Sequence, residues 1–238
     1  MAVDLPVSGA RQQLAALAAN AVLPPQLAAA WPDAAGAAAS GARAAAVLAL
    51  FGVLDDYPSD HAPEAAVPRE LDVLLLARAA TLRSHPGQVA LPGGRIDPGD
   101  ADEVAAALRE AREETGLDTS GVEVLGTLPP LPLEYSRHLV TPVIAWWRRQ
   151  SPVRVVDSAE SAAVFRAPVA DLLAPRNRGV TVLRRDGREW RGPGFVVRGR
   201  GGDHLVWGFT AMLLDGLFTG LGWTEEWDRD RELDLPLP

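Results

Sequence analysis

The chain contains no cysteine. That excludes disulfide staples and thiol catalysis and fits a reducing cytoplasm. Positive charge is not in excess either: the formal net charge is -8, which argues against a broad basic face for nucleic acid. A polyanionic ligand would have to be met by local arginines and a metal. No apolar run reaches membrane-spanning length; the stretch from Ala44 to Leu54 is too short and is bounded by Arg43. The first residues, Met1-Ala2-Val3-Asp4-Leu5-Pro6, lack a basic region followed by an apolar one, so no secretory signal is expected. There is no internal repeat and no heptad seam that demands a coiled coil. What remains is a chain of 238 residues, 47% hydrophobic, with ample material for one large domain with additions.

The stretch from Leu91 to Leu117 organises the rest. A proline-glycine turn, Pro92-Gly93-Gly94, leads through a short acidic loop into a helix. Asp100 and Glu103 have capping-box spacing, placing the helix start near Asp100 or Asp102. Val104, Ala107, Leu108 and Ala111 form a narrow apolar stripe, and Gly116 is a natural stop because glycine accepts the left-handed conformation. Residues three and four apart share a helix face, so Glu110 lies beside Glu113 and Glu114. Like charges so placed repel by a few tenths of a kcal/mol per pair, roughly, on an exposed helix. A hard divalent cation would remove that cost, since magnesium prefers carboxylate oxygens, and Arg109 could orient one carboxylate through a forked bond. The same pattern is equally explained by a solvated, ion-paired helix face.

The glycines upstream favour the first reading. Gly94, Asp100, Arg109, Glu110, Glu113, Glu114, Gly116 and Leu117 together resemble the Nudix box, the signature of Nudix hydrolases. The loop between Gly94 and Arg109 is one residue longer than the commonest form, as in the branch of the family that cleaves coenzyme A. Gly93, Gly94, Asp97, Pro98 and Asp100 match that branch. So does its upstream motif: Leu74-Leu75-Leu76-Ala77-Arg78-Ala79, then Arg83, Gly87 and Leu91-Pro92-Gly93-Gly94 in register, with His85 and Gln88 between. Two positions depart: Leu76 stands for a threonine and Leu91 for a phenylalanine, which leaves the substrate open.

Residues 1–42 are alanine-rich. They read as a helical extension, with helical character from Arg11 to Ala21, a stop at Pro24-Pro25 and a short turn from Gln26 to Trp31. This arm is a candidate lid or homodimer contact. Residues 43–227 form a Nudix-sized core, and residues 228–238 a charged tail. Ala44 to Leu54, Glu70 to Ala77, Gln88 to Leu91, Val122 to Leu128 and Leu139 to Arg148 are strand candidates. His61 falls in a loop rich in Pro, Asp and Ala. Leu128 to Leu133 reads as a stiff proline turn, and Tyr135, Ser136 and His138 follow it. Ser161 to Leu173 reads as helix-like, preceded by Glu160. Val180 to Leu183 and Phe195 to Val197 read as a hairpin. His204 and Trp207 lead into a helix from Thr210 to Leu221, and Trp223 and Trp227 would anchor an exposed tail.

The fold class is therefore α/β. The resemblance specifies a Nudix α/β/α sandwich with a mixed sheet and an added N-terminal helical arm; pattern alone would not single it out. It also implies hydrolysis of the pyrophosphate bond of coenzyme A or an acyl derivative, giving 4′-phosphopantetheine, or its acyl form, and adenosine 3′,5′-bisphosphate. Glu110, Glu113, Glu114 and the Gly94 carbonyl would hold Mg2+ or Mn2+, and Arg109 would fix a carboxylate. Glu113 or Glu160 would take a proton from water. Arg78, Arg83, Gly93 and Gly94 would line the nucleotide side, guanidinium forks being suited to phosphate oxygens. The partner is a small nucleotide-like molecule, with neither nucleic acid nor membrane expected. Other readings are a Nudix pyrophosphatase acting on another nucleoside diphosphate derivative or a nucleoside triphosphate, and a non-catalytic ligand sensor on the same fold.

Overall fold

The computed structural model describes residues 7–31, 41–53, 59–64, 67–82, 85–133, 137–185, 187–199 and 202–235. Helices α1 (Val7–Ala19) and α2 (Pro25–Ala30) come first, followed by strands β1 (Arg43–Val53) and β2 (Leu71–Arg78). Two short strands, β3 (Val89–Ala90) and β4 (Gly93–Arg95), lead into α3 (Glu103–Thr115). Then come β5 (Val122–Thr127), β6 (Leu131–Leu133), β7 (His138–Trp147), β8 (Ser161–Pro168) and the short helix α4 (Val169–Leu173). The chain continues through β9 (Arg178–Arg185), β10 (Arg188–Gly199), β11 (Gly202–Val206), α5 (Gly208–Gly220) and β12 (Glu232–Leu233).

Strands β1, β2 and β7 are buried along most of their length instead of alternating, as strands covered on both faces must be. They form the centre of an eight-stranded mixed sheet. β1 runs parallel to β7 from Arg43 opposite His138 to Phe51 opposite Trp146, and antiparallel to β2 and β4. Successive side chains go to opposite faces. On one face Ala49, Phe51, Val73, Leu75, Ile144 and Trp146 share a core with Leu14 of α1, Leu27 of α2 and Leu217 of α5. On the other, Ala46, Leu48, Leu50, Leu74, Val143 and Trp147 meet Ala106, Ala107 and Ala111 of α3. The result is the expected layering of helix, mixed sheet and helix. No helix among the described residues is long and apolar enough to cross a membrane.

Three expectations are corrected. The segment expected as helix from Ser161 to Leu173 is mostly strand: β8 pairs antiparallel with β2 from Asp72 opposite Pro168, and only Val169–Leu173 is helical. A short apolar run has no periodicity that separates strand from helix, and here hydrogen bonding to β2 decides. The proline turn after Leu128 contains a strand, because β6 pairs with β7, Pro132 standing opposite Leu139. The C-terminal segment is not simply exposed. Trp223 and Trp227 anchor it as expected, but Glu225 is also buried, and β12 extends a second, four-stranded sheet beside β9.

That second sheet contains the expected hairpin, lengthened to β9 and β10. It is held to the C-terminal segment by Arg178, which is 0% exposed and paired with Asp215 of α5. The guanidinium lies between Phe195 and Trp227, 4.9 and 4.5 Å from their ring centroids, where ring quadrupoles stabilise a cation. At the other end of the chain Arg11 of α1 forks onto Glu123 of β5. Gln13 accepts a hydrogen bond from the Trp223 indole at 2.7 Å.

Leu14, 0% exposed in this core, offers a direct test of how firmly α1 is attached. Leu14→Ala should cost about 2–5 kcal/mol of unfolding free energy in urea melts. A change below about 0.5 kcal/mol, the size usual for surface substitutions, would contradict the packing described here.

Candidate active site

The loop between β4 and α3 folds around one arginine. Arg109 donates from Nε and Nη2 to the two oxygens of Asp100, each at 2.9 Å, and from Nη2 to the Arg95 carbonyl at 3.0 Å. Its Nη1 reaches Glu110 at 3.0 Å and Glu113 at 3.1 Å. The forked bond lowers the Asp100 pKa, with the Asp97 amide assisting at 2.8 Å, and it holds the Arg109 pKa above the usual arginine value. Asp100 is therefore the anchor of the loop and not the helix cap. Asp102 is the cap, accepting from the Ala105 amide at 2.8 Å. The sequence expectation of a capping box at Asp100 and Glu103 is corrected accordingly, since the arginine fork takes up both Asp100 oxygens. Gly116 ends the helix in the left-handed conformation, φ 69°, as expected.

The glycine turn and the helix are in direct contact. The Gly93 amide donates to Glu114 Oε2 at 2.9 Å, and a Cβ at Gly94 would overlap the Glu110 carboxylate. Both glycines are thus required: any side chain at Gly94 would displace Glu110, and one at Gly93 would strike the β1 backbone at Ala46 and Val47. Burial raises the Glu110 pKa against the opposing pull of Arg109. Burial also pushes Glu114 up to about 7; the Gly93 amide and Arg78 oppose the shift, while the charges on Glu110 and Glu160 add to it.

Four sequence-predicted residues, Arg78, Glu110, Glu114 and Glu160, therefore interact here, with Gly93 and Gly94 against them. Arg78 ends β2, its backbone amide bonded to the Gln88 carbonyl at 2.9 Å, and its Nε is buried without a hydrogen-bond partner. Glu160 lies in the turn before β8, where its carbonyl accepts from the Ala79 amide at 2.8 Å. It is not an N-terminal helix residue, since a strand follows it. Glu113 points outward, 54% exposed, and is tied to Arg109. His85 bonds Gln88 at 2.9 Å, while His204 stacks on Phe165 with ring centroids 4.5 Å apart. His61 pairs with Glu225 at 2.8 Å, and Trp207 caps α5. Arg83, Tyr135 and Ser136 lie outside the described residues. The sequence reading missed Arg109's hold on Asp100 and the Gly93 amide on Glu114. Both cross a loop, where no periodic signal exists.

The donor set suits a hard divalent cation. Among the described residues no three acidic or histidine side chains stand close enough to enclose an ion by themselves. Magnesium is typically held by one or two carboxylates, with waters and substrate phosphates completing the shell. Glu110 and Glu114, both losing hydration and repelling each other, match that requirement.

The raised Glu114 pKa predicts a pH dependence of stability. Between about 4.5 and 7 the folded chain holds a proton on Glu114 that the unfolded chain has released, so metal-free stability should fall as pH rises through this window. Glu114→Gln should flatten that slope in thermal melts; an unchanged slope would contradict the burial argument. Asp100→Asn, which loosens the loop's anchor, should lower activity or metal affinity by roughly 10–100-fold, measured by steady-state kinetics and metal titration.

The NUDIX domain family model matches residues 58–190. The chain is 39% identical over 153 residues to the uncharacterized Nudix hydrolase NudL of Cronobacter sakazakii, covering 64% of this chain and 77% of that one. It is 37% identical over 153 residues to the mitochondrial Nudix hydrolase 15 of Arabidopsis thaliana, covering 61% of this chain but only 51% of the plant protein. Among solved structures, it is similar to the NUDIX domain of Shewanella oneidensis NrtR complexed with ADP ribose, at 23% identity and TM-score 0.40, covering 56% of this chain and 77% of that one. It is also similar to a MutT/nudix family protein from Enterococcus faecalis, at 17% identity and TM-score 0.44, covering 75% of this chain and 61% of that one. With a family match across more than half its length, this chain belongs to the Nudix hydrolase family.

Proposed function

We propose that this Nudix hydrolase cleaves the pyrophosphate bond of coenzyme A or an acyl-coenzyme A. The products would be 4′-phosphopantetheine, or its acyl form, and adenosine 3′,5′-bisphosphate. The observation that carries the reading is the placement of Arg78. It comes from the upstream motif resembling the coenzyme A branch, and it lies within electrostatic reach of Glu114 with a buried, unpartnered Nε. A guanidinium short of an acceptor beside a carboxylate site is suited to a phosphate oxygen. The two departures from the motif weigh less than the sequence implied. Leu76 and Leu91 are 1% and 3% exposed, so both fill the core and neither presents a side chain to a substrate.

Glu110 and Glu114 would hold Mg2+ or Mn2+, with the Gly94 carbonyl as a further oxygen donor; Glu113, expected from the sequence as a third carboxylate ligand, is turned outward onto Arg109 and is not assigned to the ion. When bound, such an ion neutralises developing phosphate charge and acidifies a bound water. The residues divide the remaining work. Arg109 fixes Glu110 and Glu113 while Asp100 fixes Arg109, so the carboxylates are oriented before substrate arrives. The Gly93 amide holds Glu114 through Oε2. For the proton acceptor we favour Glu160 over Glu113. Glu113 is already paired with Arg109, whereas Glu160, which lies outside the helix, adds its charge at Glu114.

Glu160→Gln should lower kcat by roughly 10²–10⁴-fold, the usual contribution of a general base, with little change in KM, while Glu113→Gln should cost less. The reverse order would move the base to Glu113. Phosphorus NMR of coenzyme A incubated with the protein and magnesium should show the two monoester products. Preference for a nucleoside triphosphate across a substrate panel would overturn the coenzyme A assignment while leaving the Nudix chemistry intact.

A further inference from the structure

The chain has no lysine, so apart from histidine every cationic side chain is an arginine, and most of those in the site are paired. Three are not. Arg43 opens β1, Arg95 ends β4 and Arg137 sits in the turn before β7; all three are exposed, and among the described residues no carboxylate pairs with any of them. The ladder registers bring them to one end of the sheet. Arg95 stands opposite Ala45, two residues along β1 from Arg43, and the Arg43 amide bonds the Arg137 carbonyl at 2.9 Å. Residues opposite each other in an antiparallel pair share a face, as do residues two apart on one strand. Arg43 and Arg95 therefore project on the same side, with only the small Ala45 between them.

That side is opposite the carboxylates. Gly94, the neighbour of Arg95, turns its open face toward Glu110, so Arg95 projects to the other face of β4. A long substrate whose diphosphate lies at Glu110 and Glu114 could thus pass round the strand end and place a second anionic group among these arginines. In a chain of net charge -8, an unpaired cluster of guanidinium groups beside the catalytic turn is a local inversion of the overall field. Guanidinium forks match the oxygens of a phosphate monoester in geometry and charge.

We propose that Arg43 and Arg95 form a phosphate-monoester subsite on the far face of the sheet end, separate from the site that holds the scissile diphosphate. It rests on the proposed reaction only for the carrier of that phosphate, which under that reaction is the 3′-phosphate of the nucleotide half. The same chemistry would accept free inorganic phosphate.

The test is calorimetric titration of the full, metal-free chain with adenosine 3′,5′-bisphosphate, adenosine 5′-monophosphate and inorganic phosphate, which needs no turnover. The wild type should bind the bisphosphate at least tenfold more tightly than the monophosphate. Arg43→Gln/Arg95→Gln should abolish that preference, and Arg43→Lys/Arg95→Lys should keep part of it. Arg95→Gln alone gives the same readout if the double variant melts early. Inorganic phosphate binding as tightly as the bisphosphate, and lost in the glutamine variant, would support the subsite with free phosphate as its ligand. Equal binding of all three ligands by wild type and variants, or no binding by the wild type, would overturn it. A failure to hydrolyse coenzyme A would leave this result standing, so the two readings fail separately.

Discussion

The carboxylates of Glu110 and Glu114 are pressed against the backbone of Gly93 and Gly94, with little water and in mutual repulsion. Left to itself this arrangement is unfavourable, because burial penalises the charged form of each acid. It persists because the surrounding fold leaves no alternative. The apolar side of α3 is fixed on the sheet by Ala106, Ala107 and Ala111, and small alanines let the helix come close. The turn before it is fixed by the pairing of β4 with β1. Two rigid elements thus bring the acids and the glycines together, and the resulting excess of negative charge is what a divalent cation relieves.

Arg109 keeps that arrangement in order. One guanidinium spans the acidic loop through Asp100, the backbone through Arg95, and the helix through Glu110 and Glu113. It therefore couples the path of a loop with little regular structure to the orientation of the carboxylates. Lysine, a point charge without the planar fork, could not satisfy these directions at once. The rest of the molecule serves as support. α1 and α5 cover the opposite sheet face, and the C-terminal segment closes the second sheet through Trp227 on Arg178.

The site was largely legible in the sequence because its parts lie within one short stretch. A helical period, a stop glycine and four charged residues at fixed offsets are local features, and the structure keeps them on one helix. The central strands were equally legible from their long apolar runs. What could not be read was decided by distant partners. Ser161 to Pro168 is a strand because the edge of β2 needs a partner, and Glu232–Leu233 is a strand because β9 has a free edge. Asp100 had the spacing of a helix cap, yet an arginine nine residues away claims both its oxygens. The division of the glutamates, two inward and Glu113 outward, depends on a helix rotation that spacing alone leaves undetermined.

The central claim is that Glu110 and Glu114 form a cation site whose cost is met by the fold. Electron paramagnetic resonance of Mn2+ titrated into the wild type, Glu110→Gln and Glu114→Gln addresses it most directly, since free and bound manganese are distinguished without any substrate. The account predicts saturable binding by the wild type and at least tenfold weaker binding by each variant. Equal affinity in all three proteins, or no binding by the wild type, would contradict it.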